Sequence, residues 1–121
     1  MDLKSQKYSR KAFECVKKRE NSDKKDKYLT FAKRFPSLIH TCGLAQAIAF
    51  AQSKVDDYKP NFEDLQDIFK ETEDTPSLDL ITKAQEVPLS EYLRLSRDAI
   101  AVTGWIKKYA EALLDKQQKK Q

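Results

Sequence analysis

The sequence predicts an all-α fold, a compact bundle of about five or six helices in a single domain spanning residues 1–121. The chain contains only 2 glycines and 4 prolines, and its β-branched residues are few, which is typical of helical proteins. Apolar residues recur at helical spacing in several segments. The hydrophobic content of 40% is ordinary for a folded domain, and the length suffices for one core.

Residues 1–20 predict a basic amphipathic helix, running from Asp2 to Glu20. Its apolar half holds Tyr8, Ala12, Phe13, Cys15 and Val16. On the other half, Lys4, Lys7, Lys11 and Lys18 fall within about 60° of one another and form a stripe about four turns long. Neighbouring like charges repel one another, and a bound polyanion would offset that cost. Solubility alone is the alternative explanation of the stripe.

The middle of the chain predicts two helices and a break. The helix that holds Tyr28 and Phe35 is expected to break near Pro36, because proline disfavours helical geometry in the residue before it. A short helix through Ile39 would follow, and Gly43 would end it. Residues 44–55 are apolar or small almost all round, which predicts a helix in the centre of the domain.

Charge is distributed unevenly along the chain. Residues 60–80 carry 1 Lys/Arg against 7 Asp/Glu, whereas residues 1–59 carry 14 against 7 and residues 81–121 carry 8 against 5. This asymmetry predicts separate basic and acidic surfaces. We expect Asn61 to cap the acidic helix and Phe62, Leu65, Ile68 and Phe69 to face inward. Thr75-Pro76 would begin a short helix with Leu78, Leu80 and Ile81.

The last long helix follows Val87-Pro88 and separates into two faces. The predicted apolar face holds Leu89, Tyr92, Leu93, Leu95, Ala99, Ile100, Val102, Ile106, Tyr109, Ala110, Leu113 and Leu114. Trp105 is interpreted as a core anchor, with base stacking as the alternative. The opposite face holds Arg94, Arg97, Ala101, Gly104 and Lys108. Arginines beside small side chains can approach a phosphate backbone, although an ordinary solvated face has the same composition. Residues 116–121 are expected to fray.

Signatures of catalysis, metal binding and membrane insertion are weak in this sequence. Arg34 and His40 enclose five residues, a spacing found in a helical ribonuclease superfamily, but Pro36 falls between them. Cys15, Cys42 and a single histidine do not supply the clustered ligands of a zinc site. No apolar run approaches the ~20 residues of a membrane span. We therefore expect a non-enzymatic cytoplasmic protein without a cofactor, a metal or a membrane partner.

Two segments taken together resemble the small α-helical subunit family of Cmr-type (type III-B) CRISPR effector complexes. The first is YLTFAKRFPSLIHTCGLAQAIAF (residues 28–50), with a basic helix end, a proline, two aliphatic residues, Gly-Leu and an alanine-rich helix. The second is YLRLSRDAI (residues 92–100) followed by WIKKYA (residues 105–110). The order of the segments, the chain length and the basic first helix also fit this family.

The resemblance implies a non-catalytic subunit that stacks in several copies beside other subunits and lines the groove where guide RNA pairs with target RNA. Base pairing reads the sequence in such complexes, so the protein needs only backbone contacts. From charge and spacing, the expected RNA-backbone contacts are Lys4, Lys7, Lys11, Lys18, Lys33, Arg34, Arg94, Arg97 and Lys108. A protein-interaction scaffold and a ribonuclease that uses Arg34 and His40 remain as alternatives.

Overall fold

The computed structural model describes residues 3–54, 57–72 and 84–115, and these residues contain helices and no strand. The helices are α1 (Leu3–Arg19), α2 (Lys25–Cys42), α3 (Leu44–Ser53), α4 (Lys59–Thr72) and α5 (Leu89–Leu114). Residues 84–86 are also helical. The predicted all-α bundle is confirmed, as is the start of the last helix directly after Pro88.

The 26-residue helix α5 is the axis of the bundle, because both α1 and α2 pack along it. Helix α1 runs parallel to α5, since Lys4 near the start of α1 pairs with Asp98, and Phe13, further along α1, contacts Tyr109, further along α5. Helix α4 packs on α1 and on α3. This arrangement leaves one long side of α5 without a covering helix in the described part of the chain.

The core lies where α1, α2, α4 and α5 meet. It includes Tyr8 and Val16 from α1, Phe31 and Phe35 from α2, Leu65 and Ile68 from α4, and Leu95, Val102 and Ile106 from α5. Aromatic rings make up a large part of it, and the rings of Phe31 and Tyr58 stack at a centroid separation of 4.5 Å. Full burial of such side chains contributes about 1.5–3 kcal/mol each.

The predicted break at Pro36 is wrong, because α2 continues through this proline to Cys42. Proline inside a helix costs about 3 kcal/mol, since it has no amide hydrogen to donate to the carbonyl of the residue four positions earlier. Phe35 and Ile39 flank Pro36 on the inward side, and both are buried. Their burial is worth about 3–6 kcal/mol together, which offsets the cost of the proline.

Gly43 ends α2 as predicted and turns the chain into α3 within a single residue. Its φ of 91° and ψ of 156° lie in a region that is open almost only to glycine. The hydroxyl of Tyr92 accepts a hydrogen bond from the amide of Ala45 at 3.3 Å. The end of α2 thus lies beside the start of α5, so these two helices are antiparallel.

The prediction that residues 44–55 form a central helix is wrong in its placement. Helix α3 packs only one side, with Leu44, Ala47, Ile48 and Ala51 buried, while Ala45, Gln46 and Ala49 are exposed. Alanine is small and glutamine is uncharged, so both residues occur on the exposed side of a helix as well as on the buried side. The absence of charge therefore did not indicate burial here.

Helix α4 confirms the predicted inward stripe, since Phe62, Leu65, Ile68 and Phe69 are all buried. The predicted N-cap is wrong, because α4 begins at Lys59 and Asn61 lies inside it. The buried Asn61 amide donates from Nδ2 to the Tyr28 carbonyl at 3.0 Å. The predicted helix from Thr75-Pro76, the acidic residues 73–80 and the tail 116–121 lie outside the described residues.

Candidate nucleic-acid interface

The outer side of α5 presents the face predicted from the sequence. Arg97, Ala101 and Lys108 are exposed, and Gly104 lies between them. A Cβ added to Gly104 would meet no atom within 4 Å. Neither Arg97 nor Lys108 forms an ion pair with a described residue. The result is an open helix surface with a cation at each end.

Arg94 and Lys4 share one carboxylate at the seam between α1 and α5. Lys4 Nζ lies 2.8 Å from Asp98 Oδ2, and Arg94 Nη1 lies 3.3 Å from the same oxygen. Arg94 Nη2 also lies 3.6 Å from Glu91. The hydrogen bond to Asp98 raises the pKa of Lys4. These two predicted RNA contacts are therefore partly neutralised within the protein.

The lysine stripe of α1 divides in a similar way. Lys11 Nζ lies 3.0 Å from a carboxylate oxygen of Glu71 on α4, and this hydrogen bond raises the pKa of Lys11. Lys7 and Lys18 are exposed and form no ion pair with a described residue. The stripe thus contributes two available cations, while Lys4 and Lys11 connect α1 to its neighbours.

The predicted pair on α2, Lys33 and Arg34, lies at an open groove of about 340 Å³. The other groove residues are Ser37, Leu38, Thr41 and Cys42. Lys33 Nζ is 3.8 Å from Asp115, whereas Arg34 is exposed. The two hydroxyl groups and the Arg34 cation in this groove could hold an anionic backbone, while Lys33 is already paired with Asp115.

Arg34 and His40 lie on the same continuous helix, so the predicted break at Pro36 does not occur between them. Six residues correspond to about 120° around an α-helix, so the two side chains do not share one face. His40 is exposed. The spacing therefore does not bring an acid–base group and a phosphate-binding group together within one protomer.

An aromatic strip crosses the seam between α1 and α5, and we define it as Phe13, Tyr109 and Trp105. Phe13 and Tyr109 meet edge to face at 5.4 Å, and Tyr109 stacks on Trp105 at 5.9 Å. The Tyr109 hydroxyl shares a 2.6 Å hydrogen bond with Ser9. Lys108 Nζ lies 5.1 Å from the centroid of the Trp105 ring.

The burial of the predicted apolar residues requires three corrections. Trp105, predicted as a core anchor, packs against the edge of the core but is only partly buried. Phe13 is 41% exposed, although it was assigned to the apolar half of α1. Leu89 and Leu93 are 72% and 54% exposed, because they lie on the flank of α5 that the described helices leave uncovered. Helical spacing located the apolar side but not the limits of its burial.

Arg19 is the basic residue whose role sequence reasoning missed. It forms a two-pronged ion pair with Asp64, with Nη2 at 2.9 Å from one carboxylate oxygen and Nε at 3.2 Å from the other. The Tyr28 hydroxyl donates to the same carboxylate at 2.6 Å. Burial raises the pKa of Asp64 above its ordinary value, although both hydrogen bonds act in the opposite direction. Helical phase was the available signal, since Arg19 lies at the same angle around α1 as its buried apolar residues.

The described residues include two cysteines in different surroundings. Cys15 is half-buried, and burial raises the pKa of its thiol to about 12, while Cys42 is exposed and both thiols are free. Among residues 3–54, 57–72 and 84–115, no group of three or more His, Cys, Asp or Glu side chains could hold a metal ion. In the same ranges, no helix combines the length and the apolar character required to cross a membrane.

Comparison with known proteins decides the family. Residues 4–113 match the family described as CRISPR-associated protein (Cas_Cmr5). This chain belongs to that family. It is 31% identical over 116 residues to the CRISPR system Cmr subunit Cmr5 of Thermus thermophilus, covering 95% of this chain and 99% of the relative. The resemblance to the Cmr small-subunit family stated from the sequence is confirmed.

The fold of this Cas_Cmr5 family member agrees with that of a solved structure. The crystal structure of a CRISPR-associated Cmr5 family protein from Thermus thermophilus superposes with a TM-score of 0.84 and 31% sequence identity. The alignment covers 95% of this chain and all of the other. The helical arrangement described above is therefore shared along nearly the whole chain.

Proposed function

We propose that this protein is a non-catalytic small subunit of a type III-B (Cmr) CRISPR effector complex that targets RNA in antiviral defence. In this proposal, several copies stack beside the other subunits and contact the backbone of guide and target RNA. Membership of the Cas_Cmr5 family supports the place in the complex. The two free cysteines fit work in the reducing cytoplasm.

The RNA contact is supported by a difference among the basic residues: some form ion pairs within the protein, and others do not. Arg97 and Lys108 on α5 are exposed without an ion pair to a described residue, while Arg94 and Lys4 are held by Asp98. Cations that are not neutralised internally can release counterions from a phosphate backbone when they bind it. Lys7, Lys18 and Arg34 belong to the same available group, and Lys11 and Lys33 to the held group.

The test is a comparison of two double variants that remove the same charge. Arg97→Gln with Lys108→Gln should weaken binding of single-stranded RNA by the full chain. It should also reduce the slope of log K against log salt by about 1.4, since each phosphate contact on a single strand contributes about 0.7. The control, Lys4→Gln with Arg94→Gln, should change the slope less, because Asp98 already holds both side chains.

Fluorescence anisotropy with a labelled oligonucleotide at several salt concentrations measures both quantities. Equal slopes for the two double variants would contradict the assignment of the outer face of α5 to RNA. A scaffold role predicts another result: the Arg97 and Lys108 variant would lose co-purification with larger subunits while its RNA binding stays unchanged.

A further inference from the structure

The aromatic strip packs against the core and also reaches solvent. Phe13 leaves 41% of its surface in water. Trp105, the only tryptophan of the chain, is half-buried. The Tyr109 ring between them is held in place by its hydrogen bond to Ser9. The strip is therefore a fixed row of three rings that reaches solvent.

Cations lie at both ends of this row. Lys108 lies over the Trp105 ring, and the exposed Arg10 is one helical turn before Phe13. Glu14 is a neighbour of Phe13 in sequence, but it faces about 100° away around α1 and lies 3.8 Å from Lys11. The surroundings of the strip thus favour an anionic partner over a neutral or basic one.

We propose that the aromatic strip is a stacking site for unpaired nucleobases of single-stranded RNA, with Arg10 and Lys108 contacting the flanking phosphates. This inference rests on the proposed function, which makes RNA the partner, and adds contacts to bases. Surfaces that bind single strands without sequence preference combine aromatic rings, on which any base can stack, with cations that follow the backbone. The strip provides both, and it adjoins the outer face of α5.

The intrinsic fluorescence of Trp105 reports binding in this experiment, because the chain has no other tryptophan. The full chain is titrated with a 12-mer of oligoadenylate and with an abasic ribose-phosphate 12-mer that carries the same charge. Oligoadenylate should quench the tryptophan and bind about tenfold more tightly, as stacking of one base provides. Abasic RNA should bind with the same salt slope and without quenching.

Variants test separately the aromatic ring of Phe13, its apolar volume and the charge of Lys108. Phe13→Leu keeps apolar volume at an exposed position and should lose most of the preference for oligoadenylate, whereas Phe13→Tyr should retain it. Lys108→Gln should weaken binding of both oligomers, while Lys107→Gln, its neighbour of equal charge, should do so less. Circular dichroism confirms that each variant is folded.

Three outcomes would overturn the inference. Equal binding of both oligomers with a normal salt slope and no quenching would reject base stacking and leave the backbone contacts of the proposed function intact. Failure to bind either oligomer would reject both proposals. Loss of co-purification with larger subunits in Phe13→Leu, with the RNA preference unchanged, would assign the strip to a protein interface.

Discussion

Arg19 and Arg97 are arginines of two neighbouring helices in opposite surroundings. Arg19 on α1 lies against α4, where a buried carboxylate accepts both prongs of its guanidinium group. Arg97 on α5 is exposed and pairs with no described residue. The Arg19 side chain is held by an ion pair within the protein, whereas the Arg97 side chain is available to a partner. Counting charges along a sequence treats the two as equivalent, and only their neighbours distinguish them.

The comparison extends to the acidic segment of the chain. Two of its carboxylates are used inside the protein, since Asp64 holds Arg19 and Glu71 holds Lys11. Part of the strong negative charge of residues 60–80 therefore neutralises α1 and does not form a surface for a basic partner. The exposed acids Glu63 and Asp67 remain on the outer side of α4.

The largest expected effect is the loss of the buried carboxylate. Asp64→Ala should lower the free energy of unfolding by about 3 kcal/mol, because it leaves Arg19 without its partner and the Tyr28 hydroxyl without an acceptor. The low end of the range for buried pairs applies because the Arg19 side chain is 26% exposed. Chemical denaturation measures the change.

The matched control removes a carboxylate from the same helix at the surface. Glu71→Ala should cost about 0.2–1 kcal/mol, as is usual for an exposed ion pair, since both partners are accessible to solvent. If the two variants were equally stable, the Arg19–Asp64 pair would have no special structural role.

A smaller effect in the opposite direction is expected on the outer face of α5. Gly104→Ala should raise the free energy of unfolding by up to about 1 kcal/mol, because alanine favours helix formation and its methyl group would meet no atom. Thermal denaturation would show an increase in Tm. A loss of stability instead would mean that this face is packed against other parts of the chain.

The smallest effect on stability is expected at the available cation itself. Arg97→Gln should change the free energy of unfolding by less than about 0.5 kcal/mol, as surface substitutions usually do. The measurement is the same denaturation curve as for Asp64→Ala. A change of several kcal/mol would place Arg97 in the structural group with Arg19 and remove the contrast between them.

The sequence was sufficient for the fold class, the family and the general position of the apolar side of each long helix. Helical spacing placed Phe62 and Leu65 of α4 in the core, and the single-residue corner at Gly43 followed from its conformational freedom. Local rules failed where packing between helices outweighed them. Pro36 stays inside α2 because burial of the side chains beside it offsets its cost, and Asn61 is an interior residue of α4 because the Tyr28 carbonyl accepts its amide.

The candidate interface was predictable in outline only. Spacing identified the line of Arg97, Ala101, Gly104 and Lys108, but it could not show that Asp98 holds Arg94. Ion pairs between different helices depend on which elements meet, and that information is not local in sequence. The same limit applies to Phe13 and Trp105, whose exposure is determined by the edge of the contact between α1 and α5.

The corner at Gly43 determines how α3 is placed relative to α2 in the described part of the chain. If that residue were forced into helical geometry, α2 and α3 would join into one rod of about 29 residues, roughly 43 Å long. Leu44 and Ile48 would then leave the core and point into solvent, where an equivalent helix of a second molecule could take the vacated place. The positive φ of Gly43, which few other residue types adopt, thus keeps the buried side of α3 packed on its own bundle.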